Sequence, residues 1–266
     1  MCATCGCSGD GVTTDAHAHD HADHEHDHGH HHHGDEVPHV HAHPSPRMIA
    51  LERDVLARND LLAARNRGWL EGREILALNM MSSPGAGKTT LLERTVARLG
   101  SAVTISVVEG DQATGRDAER IRAAGARALQ INTGAGCHLD AAMLAEALRQ
   151  LAPAPRSLLF IENVGNLVCP ALFDLGERAR VVIASVTEGD DKPIKYPHMF
   201  RASDVLLLNK VDLLPHVTFD VARFVEFARR IKPDLHIFEI SATRGDGLDA
   251  WCRWLDDQMT RGLSGA

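Results

Sequence analysis

The 266-residue sequence predicts an α/β domain of three layers on a mostly parallel sheet, and three observations predict it. Runs of Leu, Ile, Val and Ala recur from Ile75 onward, separated by stretches of helical periodicity. Runs without polar alternation belong to strands covered on both faces, which requires parallel pairing and crossover helices. A small-residue segment, Ser82-Ser83-Pro84-Gly85-Ala86-Gly87-Lys88-Thr89-Thr90, lies between one such run and a helical pattern, the setting of a phosphate loop. The chain beyond Ile75, roughly 190 residues, is long enough for one well-buried domain. Right-handed crossovers then wind helices onto both faces of its sheet.

The expected strands, in order, are Ile75–Met81, Val103–Glu109, Ala128–Ile131, Leu158–Glu162, Val181–Val186, Val205–Asn209 and His236–Ile240. Helices are expected at Leu91–Leu99, Leu139–Leu151, Val217–Ile231 and Leu248–Met259. Ahead of them, Arg47 to about Arg67 reads as a helix. Met48, Val55, Leu62 and Trp69 recur every seven residues, beside Ile49, Leu56, Ala63 and Leu70. This stripe should dock on the nucleotide domain and end at Gly68 and Gly72. Residues 1–45 carry Val12, Val37 and Val40 but no Leu or Ile, so they cannot bury a core and should be disordered without metal. Three parts result: a tail over 1–45, a helix and linker over 46–74, and a domain over 75–266.

The formal net charge is −8, and no segment is dense in Lys or Arg. That argues against nucleic-acid or anionic-membrane partners. No apolar run approaches the ~18 residues of a membrane span. The amino terminus lacks the basic-then-apolar opening of a signal peptide. Three of six cysteines fall within the first seven residues, a poor disulfide framework and a good thiolate cluster. A reducing cytoplasm is the expected compartment.

A phosphate loop needs small residues so that successive amides can curl around a β-phosphate. It also needs a lysine for the β- and γ-oxygens and a hydroxyl for Mg²⁺. Gly85, Ala86, Gly87, Lys88, Thr89 and Thr90 supply these, although Ser82 stands where the strict pattern has glycine. Asn209-Lys210-Val211-Asp212 has the residue types that read guanine: Asp212 can accept from N1–H and the exocyclic amine, which adenine does not offer. Asn209 would contact the purine edge and loop, and the Lys210 stem would lie along the base. Ser241-Ala242-Thr243 closes the next strand and could offer an amide to guanine O6. GTP is therefore the expected nucleotide. Glu162, ending a strand, can hold Mg²⁺ through water, and Gly165 can offer its amide to a γ-phosphate. Asp111 is either a second Mg²⁺ carboxylate or a helix N-cap. No Gln or His adjoins Gly165 to orient water, which predicts slow hydrolysis or a group supplied by a partner.

Cys2, Cys5 and Cys7 place three soft ligands within six residues, and thiolates of this kind suit Zn²⁺, Cu⁺ or Ni²⁺. Removal of Met1 would put the terminal amine beside Cys2 as a fourth donor, and a planar set would favour nickel. Thirteen histidines between His17 and His43 are interleaved with Asp, Glu and Ala, unlike the pure run of a purification tag. They read as an unselective multi-site metal buffer. Within the domain, Cys137 and His138 open a helix, as ligands or simply as its start, and Cys169 lies just beyond Gly165, where a γ-phosphate should act. Cys252 reads as packing, and His198, His216 and His236 give no reason to be ligands.

These motifs stand in one order with Leu139-Asp140, Asn163-Val164, Asn166, Pro170 and Gly189-Asp190-Asp191-Lys192-Pro193. The series resembles the hydrogenase-maturation nickel-incorporation GTPases, the HypB family, over essentially the whole chain. The resemblance implies a SIMIBI-type P-loop GTPase that forms a homodimer with GTP and helps deliver nickel to the large subunit of nickel–iron hydrogenase. It implies a tight nickel site on Cys2, Cys5 and Cys7. A weaker nickel or zinc site on Cys137, His138 and Cys169 would lie at the dimer interface. The implied partner is a small zinc-containing nickel chaperone of the HypA type, bound to the segment ahead of the nucleotide domain. Ser82 and Glu162 depart from generic GTPases and match this family. The sibling urease-accessory GTPases share the core but typically lack the Cys-x-x-Cys-x-Cys opening. A nickel-storage protein with a vestigial GTPase is the alternative from another class.

Overall fold

The computed structural model describes residues 46–111, 116–134 and 136–264. The expected disorder of the tail and its cysteine and histidine sites therefore lie outside the described residues. The chain divides into two compact units, 1–52 and 53–266. The second carries seven strands: β1 (Leu76–Ser82), β2 (Ile105–Asp111), β3 (Arg127–Asn132), β4 (Leu158–Glu162), β5 (Ala179–Ser185), β6 (Val205–Asn209) and β7 (His236–Glu239). They pair in the order β3-β2-β4-β1-β5-β6-β7, with every neighbour parallel. All seven expected strands are present, with ends shifted by no more than two residues.

Alternation along each strand sends side chains to two covered faces. Leu78, Met80, Val107, Phe160 and Ile183 meet α2 (Lys88–Leu99) and α8 (Leu248–Ser264) through Leu91, Leu92, Val96, Trp251 and Leu255. On the other face, Ala77, Val108, Leu159 and Ile161 meet α4 (Ala141–Leu151) and Leu70 of α1 (Pro46–Glu71). Val182, Ala184, Leu206 and Leu208 meet Phe224 and, from α6 (Pro197–Ala202), which follows the short α5 (Lys192–Lys195), Met199 and Phe200. Each fully buried Leu, Ile or Phe is worth about 1.5–3 kcal/mol. The result is the predicted three-layer sandwich. Its central strand, β1, has chain turning away on both sides at its carboxyl end. That switch point is where open α/β sheets bind ligands.

Three local expectations are corrected. The first helix does not stop at Gly68 but runs on to Glu71. Its inward face is not the expected apolar stripe, since Val55 and Trp69 are exposed while Asn59, Ala63, Asn66 and Leu70 are buried. Both asparagines satisfy their amides on backbone groups, so polar side chains can face inward at low cost. The second correction concerns α4, which begins at Ala141 under an Asp140 cap accepting from Met143 N at 2.7 Å. Cys137 and His138 therefore sit in the loop before the helix rather than opening it. Likewise, a 3₁₀ turn (Val211–His216) precedes α7 (Val221–Ile231), so the helix expected from Val217 starts at the Asp220 cap.

Candidate nucleotide and metal sites

The phosphate-loop candidate leaves β1 at Ser82 and enters α2 at Lys88. Gly85 and Gly87 take φ of 74° and 97°, a region side chains strain to reach. A Cβ on Gly87 would also fall 2.5 Å from Asn209 Nδ2. No side chain caps α2, so its first amides stay available to an anion. Lys88 is buried and donates to Ser82 Oγ at 2.8 Å; burial lowers its pKa, opposed chiefly by Glu162. Thr89 Oγ1 donates to Glu162 Oε1 at 2.8 Å. Arg120, from α3 (Arg116–Ala123), donates to Thr90 Oγ1 at 3.2 Å.

A cavity of about 590 Å³ spans these groups, with Gly85, Gly87, Lys88, Thr89, Thr90, Asp111, Asp117, Arg120, Glu162, Gly165 and Lys210 in its walls. Parallel register places Glu109 beside Glu162. Burial pushes Glu109 up to about 8, helped by Glu162 and Asp111. Burial likewise pushes Glu162 up to about 7, against the pull of Lys88 and Thr89. Each keeps one buried, unpartnered carboxylate oxygen. The Glu162 carboxyl beside the Thr89 hydroxyl offers oxygen ligands that suit a hard cation such as Mg²⁺, whose charge would favour the ionised form. Asp111 ends β2, five residues ahead of α3, so it is not the N-cap of that helix.

The guanine-reading candidate clamps the same loop. Asn209 Nδ2 donates to Ala86 O at 2.9 Å, and Lys210 Nζ to Gly85 O at 2.7 Å. Asp212 accepts from Ser241 Oγ at 2.6 Å, and Ala242 N donates to Asn209 Oδ1 at 3.1 Å. All the residues expected to hold the nucleotide thus converge, although the Ala242 amide is engaged by Asn209. Lys192 joins them unexpectedly, donating to Ser83 Oγ at 2.6 Å and pairing with Glu188 at 2.7 Å.

The internal cysteines also meet. Cys137 Sγ lies 2.9 Å from Cys169 Sγ and 3.6 Å from His138 Nδ1. All three ligand atoms fall within 4.8 Å of one another. The His138 ring stacks on Phe173 at 3.9 Å, and burial lowers its pKa, which favours the neutral ligating imidazole. Two thiols and an imidazole suit nickel or zinc. Cys252 is buried in the core, where burial raises its thiol, in keeping with a packing role.

Residues to which the sequence reading gave no role of their own tie the two sites together. Asn163 Oδ1 accepts from Leu139 N at 3.1 Å, next to His138, and from Val164 N at 3.0 Å, next to Gly165. Its Nδ2 donates to Asn79 Oδ1 at 3.2 Å inside the sheet. The available signal was polarity in otherwise apolar runs: Asn79 within β1, and Asn59 and Asn66 seven apart on α1.

Residues 76–239 match the family described as CobW/HypB/UreG, nucleotide-binding domain. The hydrogenase maturation factor HypB of Escherichia coli K12 is 54% identical over 220 residues, covering 83% of this chain and 76% of that protein. The chain belongs to the HypB family of hydrogenase maturation factors. Two crystal structures of the family resemble it at a TM-score of 0.72. One is HypB from Archaeoglobus fulgidus, with 43% identity, covering 77% of this chain and 100% of that one. The other is HypB from Helicobacter pylori in complex with nickel, with 38% identity, covering 77% and 96%. Family and fold together carry nucleotide hydrolysis by a P-loop domain. Among the described residues, no helix is long and apolar enough to cross a membrane.

Proposed function

We propose that the chain is a cytoplasmic, GTP-hydrolysing nickel metallochaperone that helps insert nickel into the large subunit of nickel–iron hydrogenase. The observation that carries this reading is a nucleotide cavity and a Cys-His-Cys triad in one compact unit, joined by a single buried amide, Asn163. Amides of Gly85, Ala86 and Gly87 would surround the β-phosphate. Lys88 would reach the β- and γ-oxygens, Thr90 the remaining phosphate, and the Gly165 amide the γ-phosphate. Thr89, Glu162 and Asp111 would hold Mg²⁺, directly or through water, and the ion would neutralise phosphate charge. Asp212 would select guanine, with Asn209, Lys210, Ser241 and Ala242 shaping its pocket. Slow turnover follows from the lack of a Gln or His beside Gly165.

Nickel is cargo in this reading. Cys2, Cys5 and Cys7 would bind it tightly, and the histidine tract would store it. Cys137, His138 and Cys169 would hold nickel or zinc more weakly at a nucleotide-linked homodimer interface. A small zinc-containing nickel chaperone of the HypA type would receive or supply the metal. Deleting the gene, with hydrogenase and urease both assayed, tests the reading. Hydrogenase activity should disappear and return with added nickel while urease persists. Unchanged hydrogenase activity would overturn it.

A further inference from the structure

The triad is assembled from two loops, each with hydrogen bonds of its own and each also held from outside. One runs into α4 and carries Cys137 and His138; the other follows β4 and carries Cys169 and Phe173. Helix α1 reaches both. Asn66 Nδ2 donates to Ala141 O at 2.9 Å and to Leu175 O at 3.1 Å. Asn59 Oδ1 accepts from Ala141 N at 2.9 Å, while its Nδ2 donates to Asp174 O at 2.7 Å. Two buried side chains, about two helical turns apart, thus grip the same two places. Ala141 lies three residues after His138. Asp174 directly follows Phe173, whose ring supports the His138 imidazole. Arg67 adds a two-pronged pair to the Asp174 carboxylate at 2.7 and 2.8 Å. The approach is close: a Cβ on Gly176 would fall 2.4 Å from Ala63 O.

Plain docking would be served by leucines, which tolerate sliding. A buried amide costs free energy unless paired, and once paired it fixes distance and direction. Metal ligand sets need positions good to about 0.2 Å, which directed hydrogen bonds can supply and an apolar seam does not. We propose that α1 is a polar clasp in which Asn59 and Asn66 are positioning residues, holding the two loops at the separation that lets Cys137, His138 and Cys169 bind one nickel ion. This inference rests on reading those three residues as a metal site.

The test uses the full-length chain with Cys2, Cys5 and Cys7 changed to Ser, so that thiolate-to-nickel charge-transfer absorption reports Cys137 and Cys169. Ni²⁺ is titrated into this parent, into Asn66→Leu and Asn59→Leu, and into Cys137→Ala, with GTP hydrolysis measured on each. Both asparagine variants should bind nickel at least ~10-fold more weakly, the cost typical of residues that orient metal ligands. Their absorption band should shift, and nucleotide turnover should stay at the parent's level. If Asn66→Leu does not fold, Asn59→Leu carries the measurement. Unchanged isotherms and bands overturn the clasp, as does a parallel loss of nucleotide turnover, which would make α1 a general support of the fold. A Cys137→Ala band equal to the parent's instead removes the metal-site reading itself.

Discussion

The nucleotide cavity and the metal triad are built in opposite ways. The cavity is made from contiguous segments at strand ends, Ser82–Thr90 and Asn209–Asp212, whose side chains hold one another's backbone, Asn209 on Ala86 and Lys210 on Gly85. The triad takes three ligands from two loops and depends on side chains of other elements, Asn163, Asn59 and Asn66, to bring them together. The first arrangement is robust because each part is local. The second takes its geometry from the fold, so it can change when the surrounding elements move, which would suit the binding and release proposed for it.

The largest effect expected from breaking the contrast is at Lys88. Removing one preorganised donor to a developing charge costs about 10²–10³ in rate, so Lys88→Ala should lower hydrolysis by at least that much. The three ligand atoms of the triad should still bind nickel in the GDP-free chain. Turnover assays beside a nickel titration check both halves, and loss of both together would mean the two regions are not separable.

Next in size is Asp212. A lost charge-assisted pair costs roughly 1.5–3 kcal/mol, which is about 10- to 150-fold. Asp212→Asn should weaken GTP by that factor and admit xanthine nucleotides, measured by competition binding. Equal affinity of the unmodified chain for ATP and GTP would remove the guanine assignment.

The same contrast explains what could be read from the sequence. The strands were legible because burial on both faces leaves uninterrupted apolar runs, as in Val205–Asn209, found with its exact bounds. The phosphate and guanine motifs were legible because their chemistry requires neighbours in the chain. Cys137, His138 and Cys169 were visible as residue types, but their approach to within 4.8 Å depends on strand order. The asparagines were invisible to a hydrophobic count. Asn59 and Asn66 look like solvent positions on α1, and only tertiary carbonyls make them buried ones. Glu109 was read merely as a strand end; parallel register sets it against Glu162.

That pair sets the smallest predicted effect. Glu109 is pushed from 4.5 up to about 8, first by burial and then by Glu162 and Asp111. Between those values the folded, nucleotide-free chain keeps a proton that the unfolded chain has lost, so stability falls as pH rises. Glu109→Gln should remove this part of the slope. Its melting temperature should exceed the parent's near pH 8, and the advantage should fade below about pH 4.5, where both states of Glu109 are protonated. Thermal unfolding across this range checks it, and parallel curves would contradict it.

The central claim is that one compact unit makes metal binding answer to the nucleotide, through Gly165, Asn163 and the loop that bears His138. Its most direct test is nickel titration of the full chain with Cys2, Cys5 and Cys7 changed to Ser, followed by thiolate-to-nickel absorption so that the histidine tract is not counted, once in GDP and once in a non-hydrolysable GTP analogue. The account predicts different nickel affinities in the two states, with nickel changing nucleotide affinity by the same factor, and loss of that difference in Cys169→Ala. Identical isotherms in both nucleotides, unmoved by Cys169→Ala, would contradict it.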